Sequence, residues 1–118
     1  MPRCAVLIHD SPRGLHYDLL LETGDVLRTW ALPQAPDATA EMTREALPDH
    51  RLHYLEYEGP VSDRRGTVTR WDTGTYELRR LDKDELTVEL AGEKLAGQAL
   101  LKRSAADPQS WRFSFRRE

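Results

Sequence analysis

Hydrophobic and polar residues alternate one by one in several short segments of the chain. The clearest segment covers residues 15–22, where apolar residues occupy the odd positions and three of the four even positions are polar. Because successive side chains of a β-strand point to opposite faces of a sheet, this alternation predicts a strand with one face in a core. The same alternation places His16, Asp18 and Leu20 together on the other face.

Seven further segments have the composition or the alternation of short strands. They are residues 5–8, 26–32, 67–72, 76–81, 86–90, 98–102 and 111–115. Residues typical of turns separate them at 23–25, 73–74, 82–85 and 92–97. We therefore expect about eight strands joined mostly by tight turns.

The middle of the chain is harder to assign. Residues 34–41 are rich in Pro, Ala and Asp, which indicates an irregular connection, and residues 62–66 form a polar loop. A short helix over residues 39–47 and a strand over residues 43–47 fit the sequence equally well. Residues 48–54 predict a turn or a single helical turn, and Gly59-Pro60 breaks the segment that follows.

Many short strands with regular turns predict an all-β fold, either an antiparallel barrel or a sandwich. The 118 residues suit a single domain, 1–118, because the chain has no repeat, no low-complexity segment and no long linker.

Composition narrows the functional classes. No apolar run approaches the ~20 residues of a membrane span, and the apolar run near the N-terminus is too short for a signal peptide. Cys4 is the only cysteine, which excludes an intrachain disulfide and fits a cytoplasmic location; we expect it to be a small core or strand-end residue rather than a nucleophile. The formal net charge of −3 argues against indiscriminate nucleic-acid binding.

A candidate metal site lies around the strand at residues 15–22. His16 and Asp18 share a face, and the turn-forming residues Pro12 and Gly14 can fold His9 back beside them. Two imidazoles and a carboxylate suit Mn²⁺, Fe²⁺ or Zn²⁺ and leave positions open for water and substrate. The spacing fits equally well a hydrogen-bonded His16–Asp18 pair on a wet strand face, with His9 merely ending its strand.

Several motifs in one order make the chain resemble the 3′-phosphoesterase domain of bacterial DNA ligase D, from about residue 5 to about residue 115. The motifs are His9-Asp10, Leu15-His16-Tyr17-Asp18, Leu21-Glu22, Leu27-Arg28-Thr29-Trp30-Ala31-Leu32-Pro33, Asp49-His50 with Tyr54, Glu58-Gly59, Gly66-Thr67-Val68, Trp71-Asp72-Thr73-Gly74-Thr75 and Gly92-Glu93-Lys94-Leu95-Ala96-Gly97.

The resemblance implies a compact antiparallel β-barrel with an Mn²⁺ site that processes 3′ ends during non-homologous end joining. Such domains remove a terminal ribonucleoside and then a 3′-phosphate, so the implied partners are DNA or RNA-tipped DNA 3′ ends and separate ligase or polymerase repair proteins. By motif position the metal ligands are His9, His16 and Asp18, the phosphate-contacting residue is His50, and the active-site tyrosine is Tyr54. Without the resemblance, His50 is most simply a surface histidine, Tyr54 a packing residue and His53 solvent-facing.

Two departures from the family concern phosphate binding. The family carries an arginine where this chain has Leu20, and a lysine where it has Gln34. A guanidinium and an ammonium make charge-assisted hydrogen bonds that leucine cannot replace. The arginines that could supply replacement charge are Arg13, Arg28, Arg64 and Arg65.

These observations leave three hypotheses. The first is a divergent, metal-dependent 3′-end-processing phosphoesterase. The second is a catalytically weakened nucleic-acid-end-binding or protein-interaction module that keeps the metal site. The third is hydrolysis of a small phosphorylated metabolite, which a narrow pocket without a basic groove would favour.

Overall fold

A computed structural model of the protein describes residues 2–12, 14–37, 41–61 and 65–117. These residues form nine strands and one 3₁₀ turn. The strands are β1 (Arg3–Ser11), β2 (Gly14–Thr23), β3 (Val26–Leu32), β4 (Glu41–Arg51), β5 (Gly59–Pro60), β6 (Thr67–Asp82), β7 (Glu85–Gly92), β8 (Ala96–Arg103) and β9 (Ser110–Arg117); the 3₁₀ turn is Leu52–Leu55. Across the described residues, no helix has the length and apolar character needed to cross a membrane.

All strand pairs are antiparallel, and they close into a barrel-like ring. The order is β1-β2-β3-β4-β9-β8-β7-β6, and β1 also pairs with β6. The two-residue β5 adds to the start of β6. The predicted all-β, antiparallel fold of about eight strands with one short helical turn is thus confirmed.

The ambiguous segment before residue 51 is a strand. β4 pairs with β3 on one side and with β9 on the other. Residues 41–45 pair with β9 and residues 45–51 pair with β3, and this tertiary pairing overrides the helix propensity of residues 39–47. Residues 38–40 of the predicted connection, and residues 62–64 of the predicted polar loop, lie outside the described part of the chain.

The predicted turn at residues 73–74 is wrong, because β6 runs through it without a break. Gly74 pairs with Gly92 of β7, and a Cβ on Gly74 would lie 2.2 Å from the carbonyl oxygen of Ala91. The glycine therefore serves a close approach between two strands rather than a change of chain direction.

Two hydrophobic cores lie on opposite faces of the sheet. The inner core takes residues from all eight strands of the ring and includes Trp30, Val88 and Phe113. The outer core takes residues from four strands only, namely Ala5, Leu7, Leu20, Leu27 and Val68, together with Leu55. Residues 52–61, which we call the strap, cover this outer face.

Hydrogen bonds fix the strap to β6 and to the residue that precedes it. The carboxylate of Glu58 accepts a hydrogen bond of 2.7 Å from the backbone N–H of Arg70. The N–H of Val61 donates to the carbonyl of Gly66 at 2.8 Å, and the Arg70 guanidinium donates to the carbonyl of Leu55 at 3.4 Å. The strap is therefore a fixed second layer over β1, β2, β3 and β6.

The motif at residues 92–97 has a structural role through Asp72. This buried carboxylate accepts backbone N–H groups from Glu93 at 2.9 Å, Lys94 at 3.0 Å and Leu95 at 2.9 Å. A Cβ on residue 92 would lie 2.3 Å from Oδ2 of Asp72, which explains the glycine there. One carboxylate thus organises the turn between β7 and β8.

We expect Asp72→Ala to lower the free energy of unfolding by about 3 kcal/mol, because three N–H groups lose a charged acceptor. Urea unfolding followed by circular dichroism measures the loss. The control is Asp82→Ala, because the exposed Asp82 carboxylate accepts a backbone N–H from Asp84 at 2.9 Å and pairs with Arg80 at 3.5 Å in full contact with solvent, so its loss should cost much less than that of Asp72. Equal losses for the two variants would contradict this role of Asp72.

Candidate metal centre

The candidate ligands lie at the closed end of the β1–β2 hairpin. Ser11 pairs with Gly14, and His9 pairs directly with His16. A turn this short fixes the register, so the ring of His9 stands beside that of His16 with the centroids 4.6 Å apart. Asp18 follows two residues later on the same face. This is the outer face, beside the strap.

The three side chains converge. Nδ1 of His9 lies 3.4 Å from Oδ2 of Asp18, and Nε2 of His16 lies 2.9 Å from Oδ1. One ligand atom from each residue lies within 4.8 Å of the other two. The Asp18 side chain is 3% exposed, whereas those of His9 and His16 are 16% and 26% exposed. The carboxylate of the site is therefore buried in the protein, whereas the two imidazoles are partly open to solvent.

The charges of the three groups are coupled. Burial alone would raise the pKa of the Asp18 carboxyl, but the contacts with His16 and His9 outweigh burial and hold this pKa below its usual value. The contact with Asp18 is the main reason why the pKa of His9 is raised, against the opposing effect of burial. The two histidines therefore favour the ionised form of the buried Asp18 carboxyl, which a positively charged neighbour stabilises.

The donor set fits a divalent cation. Nε2 of His9 donates to the carbonyl of Arg65 at 2.6 Å, because a carbonyl can only accept, so in the neutral ring Nδ1 carries the lone pair and faces Asp18. Metal-binding histidines typically have such a backbone partner on the second nitrogen. Oδ1 of Asp18 is buried and has no hydrogen bond of acceptable geometry among the described residues. Its 2.9 Å contact with Nε2 of His16 does not have that geometry. A cation bound between Nδ1 of His9 and Oδ1 of Asp18 would provide both atoms with a partner.

A cleft of about 1330 Å³ opens over these residues. Its floor is a row of paired positions on adjacent strands, Leu7, Asp18, Ala31, Glu45 and Ser110. The small Ala31 side chain leaves space above the sheet between Asp18 and Glu45, whose backbones are roughly 10 Å apart across two strand spacings. The strap forms the facing wall.

His50 and Tyr54 line the same cleft as the three candidate ligands. The β3–β4 pairing shifts between Thr29↔Leu47 and Leu27↔His50, so β4 carries one extra residue and bulges at residues 48–49. A bulge redirects the following side chains, and here it turns His50 to the outer face. Nδ1 of His50 donates to the carbonyl of Pro48 at 2.9 Å, which leaves Nε2 as the second ring nitrogen.

The facing wall of the cleft contains two residues that the sequence did not predict as part of the site. His53 and Tyr57 also line the cleft, and the Tyr57 hydroxyl donates to the carbonyl of Pro60. His53 is exposed, as expected, but it is in ring contact with Tyr54 and Tyr57. The signal that could have shown this wall is the spacing of His50, His53, Tyr54 and Tyr57, which is the i, i+3, i+4, i+7 spacing of one helical face.

Neither of the two positions where the resemblance implies a phosphate-binding cation lines the cleft. Leu20 is fully buried in the outer core. Gln34 is exposed and is not part of the cleft lining.

The candidate replacement arginines differ in where they lie. Arg28 stacks over the ring of Trp30, 4.9 Å from its centroid, on the inner-core side of β3. Arg65 lines the cleft, as does Arg51, which was not among the arginines predicted from the sequence. Arg13 and Arg64 lie outside the described residues.

Cys4 is buried and 6% exposed. Burial, with a smaller effect from the charge of Asp72, raises the pKa of its thiol to about 12.

A raised pKa keeps the thiol of Cys4 protonated and unreactive until the pH approaches that value. We therefore expect no reaction of the folded protein with a thiol-exchange reagent between pH 7 and about 10. Full reaction in urea is the control, and rapid labelling of the folded protein at pH 8 would contradict the burial.

Comparison with known proteins adds a family match. The model of the DNA ligase D 3′-phosphoesterase domain matches residues 8–103. The multifunctional non-homologous end joining protein LigD of Pseudomonas aeruginosa is 35% identical in an alignment 106 residues long, which covers 81% of this chain and 12% of that protein.

Mycobacterial relatives match to a similar extent. The multifunctional non-homologous end joining DNA repair protein LigD of Mycobacterium tuberculosis is 35% identical in an alignment 105 residues long, which covers 80% of this chain and 14% of that protein. The LigD protein of Mycolicibacterium smegmatis is 37% identical in an alignment 106 residues long, which covers 75% of this chain and 14% of that protein. The chain therefore spans only 12% to 14% of the length of these curated relatives.

Proposed function

The chain belongs to the DNA ligase D 3′-phosphoesterase domain family, and from this premise we propose that it is a metal-dependent phosphoesterase acting on the 3′ ends of DNA strands at breaks. Its substrates are ends that carry a terminal ribonucleoside or a 3′-phosphate. Its product is an end with a free hydroxyl, which separate ligase or polymerase repair proteins can use.

The observation that carries this proposal is the convergence of His9, His16 and Asp18 at one end of an open cleft. These three residues would hold Mn²⁺ or another divalent transition metal through two imidazole nitrogens and one carboxylate oxygen. A bound divalent ion would polarise a phosphoryl oxygen and stabilise the negative charge that develops on it.

The side chains on the strap and on β4 have the chemistry to act on the phosphate. In removal of a ribonucleoside, water forms the new bond to phosphorus, the bond from phosphorus to the 5′ oxygen of the terminal nucleoside breaks, and that oxygen takes up a proton. In its protonated form His50 can donate from Nε2 to a nonbridging oxygen or to the leaving oxygen. Tyr54 packs edge-on against the His50 ring, with the centroids 5.5 Å apart, and holds that ring in place.

A second candidate function follows from the burial of Leu20 and from the charges along the cleft. Arg51 and Arg65 line it, but so do Glu45, Asp49 and Asp107. A polynucleotide gains most of its affinity from cations, and this balance supplies few. These features favour a weakened module that binds nucleic-acid ends or a protein and keeps the metal site. A small phosphorylated metabolite finds little support in so large a cleft.

The test is cleavage of a primer-template that ends in one ribonucleotide or in a 3′-phosphate, with the manganese-loaded protein. We expect a terminal ribonucleoside to be released first and phosphate afterwards. The matched control is the double variant His9→Ala, His16→Ala, which should be inactive. Wild-type activity no higher than that of the double variant, together with retained binding to the primer-template, would favour the weakened module.

A further inference from the structure

Four ring side chains form a continuous wall along the strap side of the cleft. The ring centroids of His53 and Tyr54 are 4.2 Å apart, with the planes tilted by only 32°. Tyr57 contacts His53 at 5.5 Å and Tyr54 at 5.7 Å, both edge-on, and His50 contacts Tyr54 at 5.5 Å. All four line the cleft that contains the candidate metal ligands.

Packing against the rest of the protein explains three of these rings but not the fourth. Tyr54 and Tyr57 pack against the outer core, and His50 is half-buried at the end of β4. His53 is exposed and does not belong to that core. Its imidazole lies over Tyr54, so it is held as a flat surface on the cleft side of the strap.

We propose that the imidazole of His53, backed by Tyr54, is the platform on which the base of the 3′-terminal nucleotide stacks. This inference rests on the proposed function and adds a substrate determinant to it. Base–aromatic stacking tolerates any base, because every base has a π-face. It also supplies affinity that the mixed charges of the cleft do not provide.

Stacking on His53 makes the terminal base a determinant of affinity. A 3′ phosphate attached to an abasic sugar, or a small phosphorylated molecule without a base, lacks the group that the platform holds. The preferred ligand is therefore a nucleic-acid end whose terminal base is intact and unpaired, since a base stacked within a duplex has no free face.

The test uses a DNA primer-template with an unpaired 3′-terminal 2-aminopurine deoxynucleotide and a 3′-hydroxyl, which is the product state and is not cleaved. Its fluorescence should be quenched when the manganese-loaded protein binds, and His53→Phe should keep the quenching because it keeps a ring. His53→Ala should lose the quenching and bind about tenfold more weakly. Glu56→Ala is the matched control, because Glu56 lies on the strap, exposed and outside the cleft lining.

An abasic terminal nucleotide tests the same point without any mutation. It should bind the wild-type protein about tenfold more weakly than the 2-aminopurine end, and this difference should vanish in His53→Ala. Equal affinity of the two ends for the wild-type protein would overturn the inference, and so would full quenching by a folded His53→Ala. If His53→Ala does not fold, the abasic comparison and His53→Phe decide the matter.

Parallel cleavage of the ribonucleotide-ended primer-template separates this inference from the proposed function. Cleavage without discrimination between the base and the abasic end overturns the stacking platform alone. Discrimination without cleavage overturns the phosphoesterase activity alone. Absence of both binding and cleavage overturns the two together.

Discussion

Asp18→Asn should lower the affinity of the protein for Mn²⁺ by about 100-fold or more and reduce 3′-end cleavage about 1000-fold. The substitution removes the only carboxylate of the candidate site and keeps the side-chain volume. The two imidazoles that remain supply no negative charge, and partners outside the ligand set of a metal already contribute 10- to 100-fold. The loss in rate corresponds to about 4 kcal/mol of transition-state stabilisation, which is within the range of a catalytic metal.

The affinity is measured by titration with Mn²⁺ followed by electron paramagnetic resonance, and the rate by release of the terminal ribonucleoside. Asp10→Asn is the matched control, because Asp10 is exposed on the same hairpin and does not line the cleft. We expect Asp10→Asn to bind Mn²⁺ and to cleave as the wild type does. A folded Asp18→Asn protein with wild-type affinity for Mn²⁺ would exclude Asp18 as a ligand.

The sequence could predict the three candidate metal ligands because strand alternation and a short hairpin turn determine where they lie. Alternation along β2 places His16 and Asp18 on one face, and a short hairpin turn places His9 opposite His16. The carbonyl of Arg65, which fixes the tautomer of His9, is 56 residues away along the chain. No local pattern indicates a partner at that distance.

The strap side of the site depends on features that alternation does not show. His50 faces the cleft only because β4 has an extra residue at its bulge, and the chain has no glycine there to indicate it. The pairing partners of β4 likewise decide that it is a strand, although its sequence also suits a helix. By contrast, β3 was predicted at residues 26–32, which are its observed bounds, because turn residues and a proline flank it.

The position where the resemblance implies an arginine is part of the outer core in this protein. Leu20 is fully buried and packs in the outer core with Leu27 and Leu55, beneath the strap. The space in which a guanidinium would reach toward phosphate is therefore filled by aliphatic side chains. A leucine at this position and a closely packed strap belong together.

Restoring the family residue with Leu20→Arg should consequently destabilise the protein rather than improve catalysis. We expect the free energy of unfolding to fall by about 4 kcal/mol, because the change removes a buried aliphatic side chain and places an unpaired charge in an apolar core. A domain of this size is typically stable by only about 5–15 kcal/mol, so the loss is a large fraction of the total. Urea unfolding at constant pH and salt measures it.

Two control variants separate burial of charge from other causes. Leu20→Met keeps the volume and the apolar character and should cost less than about 1.5 kcal/mol. Gln34→Lys restores the family's second cation at an exposed position and should change stability by no more than about 0.5 kcal/mol. Wild-type stability of Leu20→Arg would contradict this burial and would mean that the strap moves aside and lets the guanidinium reach solvent.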